Sequence, residues 1–453
     1  MTAIKTSKLL GAAALASLLL ALPALAQDAA TTAAAPAAAA TVDKGDTTWM
    51  LVSTILVILM TIPGLALFYG GLVRSKNMLS VLMQVLSGFC MIALLWVAYG
   101  YTLAFGGGTG GGLSAFIGDF SKFFLNTVTP ASTSATFTPG VQIPELTFVI
   151  FQLTFGAITP ALIVGAIAER MKFGAVMLFL AIWFTFSYLP IAHMVWSGGG
   201  LLFGMGAYDF AGGTVVHINA GVAGLVAAIV LGPRMGFLKE PMAPHNLTFT
   251  FVGACLLWVG WFGFNAGSNL EANGLTAQAL LNTITAPAAA ALAWAGAEKF
   301  VRGHASLLGG ASGAVAGLVA ITPAAGFAGT AGAMVLGAIA GLVCLWAVVT
   351  LKPRFKYDDS LDVFGVHGIG GIVGALGTAI VASPSLGGFA LSGYEMGHQF
   401  VVQLTAVVIA VVWSGVVAFI AMMIVKAVMG LRVSEAAEND GLDLSTHGEH
   451  AYN

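Results

Sequence analysis

Charge is the first thing this sequence lacks. Of 453 residues only 8% are Asp, Glu, Lys or Arg, against about 25% in an ordinary soluble domain, which excludes a soluble globular fold. Cysteine is scarce too. Cys90, Cys255 and Cys344 stand singly inside apolar runs with no Cys-x-x-Cys spacing, so neither a disulfide framework nor a thiolate metal site is indicated, and the three read as small core hydrophobes. The glycine-rich stretch 106–112 lacks the Lys-Ser/Thr of a phosphate-binding loop and reads as a connection rather than a nucleotide site. No metal or other cofactor is expected, nothing points to a nucleic-acid partner, and no enzymatic constellation stands out. The formal net charge of -2 says little, because in a membrane chain the placement of charges matters more than their sum.

What is abundant is hydrophobe, 58% of the chain, gathered in long runs. Residues 1–26 carry Lys5 and Lys8, then the apolar run 9–22, then Ala24-Leu25-Ala26, the pattern of a cleavable signal peptide. Residues 27–46, rich in Ala, Thr and Pro, have little to bury and read as a flexible outer leader. Eleven runs long enough to cross roughly 30 Å of hydrocarbon follow, at 49–70, 78–105, 145–168, 174–194, 212–232, 247–266, 275–299, 306–323, 329–351, 363–383 and 397–428. The expected fold is therefore an all-α polytopic membrane protein with a transmembrane domain over 47–430. Basic residues give its orientation. Arg74 and Lys76, Arg170 and Lys172, Arg234 and Lys239, Lys299 and Arg302, Lys352 with Arg354 and Lys356, and Lys426 with Arg432 fall in every second connection and the tail. That places the N-terminus outside and the C-terminal tail, 431–453, in the cytoplasm. The tail is polar and acidic, a composition that by itself reads as unstructured.

The chain repeats its layout: five runs ending in a helix that carries His217, five ending in a helix that carries His367, and an eleventh. Five is odd, so the halves insert in opposite senses, the inverted-repeat plan in which a path runs along the repeat interface. Asp209-Phe-Ala-Gly-Gly-Thr-Val-Val-His217 opens one of these helices and Asp362-Val-Phe-Gly-Val-His367 the other. Polar groups in lipid cost on the order of 2 to 4 kcal/mol each unless paired or wetted, which marks them as functional suspects. A neutral imidazole offers one donor and one acceptor nitrogen, suited to passing a small polar solute or a proton. Asp209 reads either as a helix cap or as a negative group near the mouth of a path. Aromatics in Phe151-Gln-Leu-Thr-Phe155, Trp196 and Phe264, with the hydroxyl of Ser268, have the makings of a cation-π cage.

Six segments carry a family resemblance: Phe68-Tyr-Gly-Gly-Leu-Val-Arg-Ser-Lys-Asn77, Ala192-His-Met-Val-Trp196, Asp209-Phe-Ala-Gly-Gly-Thr-Val-Val-His-Ile-Asn219, Gly260-Trp-Phe-Gly-Phe-Asn-Ala-Gly-Ser268, Asp362-Val-Phe-Gly-Val-His367, and the tail pieces Gly441-Leu-Asp443, His447-Gly-Glu449 and Ala451-Tyr452. The chain resembles bacterial ammonium transporters of the Amt/Mep/Rh family from about Trp49 to its end, departing in Ser197, which separates Trp196 from the glycines, and in the 106–144 connection. The resemblance implies a homotrimer in the bacterial inner membrane with one pore per subunit, moving ammonium or ammonia and accepting the methylated analogue methylammonium. It implies that Trp196, Phe155 and Ser268 recruit ammonium, that Phe155 and Phe264 gate the pore, that His217 and His367 line it as a twin-histidine lane, and that Asp209 is the acid below the mouth. It also implies a PII signalling protein docking on the cytoplasmic face. Two neighbouring readings share these residues: an ammonium sensor acting through PII, and an Rh-type passive ammonia channel. A bis-histidine haem protein would also place two histidines on membrane helices, and a Soret band would reveal it.

Overall fold

In the computed structural model, which describes residues 41–107 and 112–452, the apolar runs become eleven membrane-length helical segments. They are α1 Lys44–Leu72, α2 Ser75–Phe105, α3 Glu145–Ile167, α4 Phe173–Gly204, α5 Gly213–Leu231, α6 Leu247–Gly267, α7 Gly274–Arg302, α8 Leu307–Ala324, α9 Thr330–Phe355, α10 Phe364–Val381 and α11 Met396–Met429. Each expected run lies on one of them, with ends moved by a few residues; α4 runs furthest past its expected end, through a break at residues 197–200. The expected signal peptide and the leader up to residue 40 lie outside the described residues.

Local chemistry sets the helix starts. Asp43 caps α1 by accepting from the Asp46 amide at 2.8 Å, Asn273 and Thr276 form a reciprocal capping box on α7, and Ser306 caps α8 through the Gly309 amide at 2.9 Å, each satisfying amides that a helix leaves free. A small three-stranded sheet, β1 Thr41–Val42, β2 Thr133–Ala135 and β3 Val141–Pro144, joins the first described residues to the long α2–α3 connection in the order β1-β3-β2.

Outward faces are apolar. Leu94, Ile229, Leu292 and Val416 are exposed on the bundle surface, which is stable against lipid and unstable in water. Two of the three cysteines share that surface: Cys344 is buried as expected, whereas Cys90 and Cys255 are exposed. The reason is that an apolar run of membrane length has both a core side and a lipid side, and hydropathy alone does not separate them.

The connections after α1, α3, α5 and α9 converge on one face and are tied there by buried ion pairs. Glu169 pairs with Arg74 at 2.9 Å and Arg234 at 3.0 Å, and Arg234 pairs with Asp358 at 2.8 Å. Burial works against the Glu169 carboxylate, but the two guanidinium groups outweigh it and hold the acid below its usual range. Arg170 is fully buried and spends its donors on the carbonyls of Gly232 and Ala168 and the Ser360 hydroxyl.

The tail is ordered on this same face, contrary to what its composition reads as. Its helix, α12 Glu435–Asp440, is followed by a π-helical turn at Asp443–His447. The buried Asp443 carboxylate accepts from the Leu79 and Ser80 amides at 3.0 and 2.8 Å, Asn77 accepts from the Leu442 amide at 2.8 Å, and the buried Glu438 pairs with Arg432 at 2.7 Å. A few well-placed acceptors on free helix-start amides hold a segment that has no hydrophobic stripe of its own.

Candidate functional site: a histidine lane between two vestibules

Two helices carry the lane's histidines, and glycine lets them approach. A Cβ at Gly221 on α5 would lie 2.3 Å from the Gly368 amide nitrogen on α10, and one at Gly371 would lie 2.9 Å from Ile218. Only hydrogen fits there, so α5 and α10 cross in backbone contact. The crossing brings His217 and His367 together. Their Nδ1 atoms are 3.2 Å apart, and the rings are stacked with centroids 5.3 Å apart and 19° between planes.

Both histidines sit on π-helical turns, Gly213–Ile218 and Phe364–Gly368. A π turn leaves amides unpaired at its start and is common where a side chain must be re-aimed. Each turn is held by a buried carboxylate eight residues before its histidine. Asp209 accepts from the amides of Gly212, Gly213, Thr214 and Val215 at 2.9, 2.6, 2.9 and 3.1 Å. Asp359 accepts from the Phe364 amide at 2.7 Å. The acid matching Asp209 in the second half is thus Asp359, not the expected Asp362, whose carboxylate instead pairs with Lys352 at 2.7 Å. Burial pushes the Asp209 carboxyl up to about 6, with the four amides pulling the other way. Asn219 completes the first turn: its amide nitrogen donates to Val215 O at 3.1 Å, and it accepts from Ser187 at 2.8 Å through its side chain and from Ser414 at 2.7 Å through its backbone.

A shared hydrogen bond between two Nδ1 atoms uses one proton, so one ring donates and the other accepts. The donor ring then carries a free acceptor at Nε2 and the acceptor ring a free N–H there. The lane therefore shows a solute one acceptor and one donor. His217 Nε2 is buried without a hydrogen-bond partner among the described residues, a position a small polar solute would satisfy.

On the Asp209 side the lane is closed by aromatic rings. Phe155 and Phe264, both fully buried, stack with centroids 4.2 Å apart and 22° between planes, and Phe264 lies 6.0 Å from the His217 ring. Trp196 meets Phe155 edge-on at 5.6 Å, and its indole N–H donates to Asp209 O at 2.9 Å, which fixes the ring. Ser268 donates its hydroxyl to Phe264 O at 2.8 Å, leaving its oxygen lone pairs free. Trp196, Phe155, Ser268 and Asp209 line one vestibule of about 620 Å3. His367, Asp362, Lys352 and Val348 line a second, of about 420 Å3, beyond the histidines. Trp196, Phe155, Phe264, His217 and His367 thus form a chain of ring contacts leading from the first vestibule to the second, with Ser268 and Asp209 on the first vestibule's wall. Asp209 is the exception in kind, since its oxygens face backbone amides.

Two members of the site went unread in the sequence. Trp261 stacks on His217 at 5.4 Å and 23°, held by its N–H to Thr322 Oγ1 at 2.9 Å; it reads there as one aromatic among many. Asp359 was hidden behind Asp362, although its eight-residue spacing to His367 equals that of Asp209 to His217.

Residues 48–452 match the Ammonium Transporter Family. The chain is 47% identical to an ammonium transporter of Aquifex aeolicus, over 91% of this chain and 95% of that one. It is 46% identical to an ammonium transporter of Bacillus subtilis, over 90% and 98%. Among solved structures it superposes on Candida albicans Mep2 with a TM-score of 0.79 at 34% identity, covering 87% of each chain. It also superposes on a structure described as a sensor Amt protein with a TM-score of 0.79 at 28% identity, covering 89% of this chain and 98% of that one. With its eleven membrane-length helices and its match across nearly the whole length of these transporters, the chain belongs to the ammonium transporter family, a family of multi-pass membrane transporters rather than enzymes.

Proposed function

We propose that this transporter strips ammonium of a proton at its Trp196 mouth and passes it as ammonia along the histidine lane. The observation that carries the reading is the unbroken line Trp196, Phe155, Phe264, His217, His367, with stacked phenyl rings where a hydrated cation would have to fit. A cation is welcome in the vestibule, since a desolvated aromatic cage attracts it by about 2 kcal/mol and Ser268 offers an acceptor. Beyond the rings the balance reverses. A bare monovalent cation in an apolar constriction bears a desolvation penalty of at least several kcal/mol, more than the cage returns. Ammonium escapes it by giving up its proton to water in the Trp196 vestibule, which leaves hydronium there and sends ammonia on past the rings, and K+ has no proton to give. Asp209 acts through the backbone: by fixing the 212–215 amides it sets the direction of His217 and the pose of Trp196, and its charge lowers the energy of a cation in the mouth.

Orientation follows the basic face. Arg74, Arg170 and Arg234 lie with the tail, so that face is cytoplasmic and the Trp196 vestibule opens outside. The inner membrane of a bacterium is the matching location. We read the assembly as a homotrimer with one lane per subunit, and the ordered tail with the connections around it as the surface on which a PII protein docks. A sensor reading is favoured by one finding, the similarity to the solved sensor protein; it requires binding without uptake.

Methylammonium uptake into proteoliposomes by wild type, Trp196→Ala, His217→Ala and Asp209→Ala tests the reading. Uptake by wild type, lost or strongly reduced in the three variants, supports it; wild-type binding without uptake would favour the sensor, and unimpaired His217→Ala uptake would defeat the lane.

A further inference from the structure

Below His367 the second vestibule holds a charge arrangement that neither packing nor the lane requires. Lys352, at the end of α9, points its ammonium at Asp362 at 2.7 Å, and both side chains are partly exposed, 17% and 31%, to the vestibule that His367 also lines. Asp362 holds this position in a left-handed backbone conformation, φ +61°, a strain that non-glycine residues keep where surroundings over-determine it and that gathers at functional sites. Beside them lies Asp359, fully buried, with one oxygen on the Phe364 amide and the other, Oδ1, without a hydrogen-bond partner among the described residues. Burial raises the Asp359 carboxyl to about 6, and the positive charge of Lys352 is the chief influence pulling the other way.

A lysine head and an ammonium ion are the same kind of donor: a compact, strongly hydrated NH cation. We infer that Lys352 is a tethered stand-in for the substrate, filling a cation seat on Asp362 with the buried charge of Asp359 behind it, and so keeping free monovalent cations out of the lane from the vestibule below His367. The tether makes the exclusion effective. A group held on a short arm from an ordered helix stays beside its partner and competes as an intramolecular ligand, so a mobile cation must break a formed 2.7 Å ion pair to take the seat. Ammonia needs no seat and passes. The consequence is kinetic rather than thermodynamic: transport stays reversible, but cations accumulated on the Lys352 side do not plug the path.

The inference rests on the lane being the substrate path, and its test is readable without transport. Crystals of wild type, Lys352→Met, Lys352→Gln and Lys352→Arg soaked in caesium chloride report the seat by anomalous scattering. Caesium beside Asp362 in the Met or Gln variant, and none in wild type or Lys352→Arg, is expected. Caesium absent from both neutral variants, or present in wild type, overturns the proposal. In proteoliposomes, caesium trapped inside should abolish most methylammonium uptake by Lys352→Gln and leave wild type unaffected. Equal inhibition of both also overturns it, whereas failure of the lane itself would appear separately, as normal uptake by His217→Ala.

Discussion

Gly221 on α5 and Gly368 on α10 touch through their backbones, so closely that a Cβ at position 221 would fall 2.3 Å from the Gly368 nitrogen. The 3.2 Å contact between the two histidine rings depends on that closeness. Gly221→Ala must push the helices apart. Overpacking of this kind costs about 1 to 3 kcal/mol, and the rings would separate beyond hydrogen-bond distance. A lowered Tm with loss of most methylammonium uptake is the expected pair of results, and normal uptake in a folded variant would show that the contact is dispensable.

The phenyl stack makes a selectivity prediction. Phe264→Ala removes a fully buried ring in contact with both Phe155 and His217. Such a truncation destabilises by about 3 to 5 kcal/mol where the cavity stays empty, and less here, where water from the vestibule fills it. Water beside His217 lowers the desolvation barrier for cations. K+ flux should rise relative to methylammonium flux in this variant, measured side by side in the same vesicles.

Acid should weaken the mouth. Burial raises the Asp209 carboxyl from its usual 3.8 to about 6, so the charged form that holds four amides is present above that pH and is lost as pH falls through it. For stability the sign is the reverse of a salt-bridged acid: the folded protein binds this proton more readily than the unfolded chain, so the group's contribution declines as pH rises from about 4 to 6. Uptake should fall with a midpoint near pH 6, at an ammonium concentration that acid itself leaves unchanged. Asp209→Asn, with one acceptor oxygen instead of two, should show low uptake and no such midpoint.

The tail gives a local prediction. Asp443→Ala strips the Leu79 and Ser80 amides of their acceptor, a penalty of about 1 to 3 kcal/mol for groups left buried and unpaired. The cost should fall on tail docking and leave the bundle intact: limited proteolysis should cut after Leu431 in the variant and not in wild type, with the Tm of the helical body unchanged.

Much of this architecture was legible in the sequence because lipid imposes length. An uninterrupted apolar run can only be a span, and alternating basic connections count the spans independently. The histidine pair was legible because polar residues are rare in such runs. Asp359 was not, since three acids crowd the ten residues before His367 and only a comparison of spacings between the halves singles out the right one. Trp261 was not, since nothing distinguishes a ring stacked on an imidazole from one that packs or anchors. The tail misled for a different reason. Its order comes from single acceptors, Asp443 and Glu438, fitting amides and a guanidinium offered by distant connections, and composition carries no trace of such long-range fits.

The central claim is that what crosses the phenyl stack and the histidines is uncharged. The most direct measurement is paired flux through the purified wild type, methylammonium against K+, each driven by the same gradient across the same vesicles. Rapid methylammonium uptake with K+ flux no greater than in empty vesicles is expected. K+ passing at a rate comparable to methylammonium would contradict it, because an ion with no proton to give up would then have crossed the same constriction.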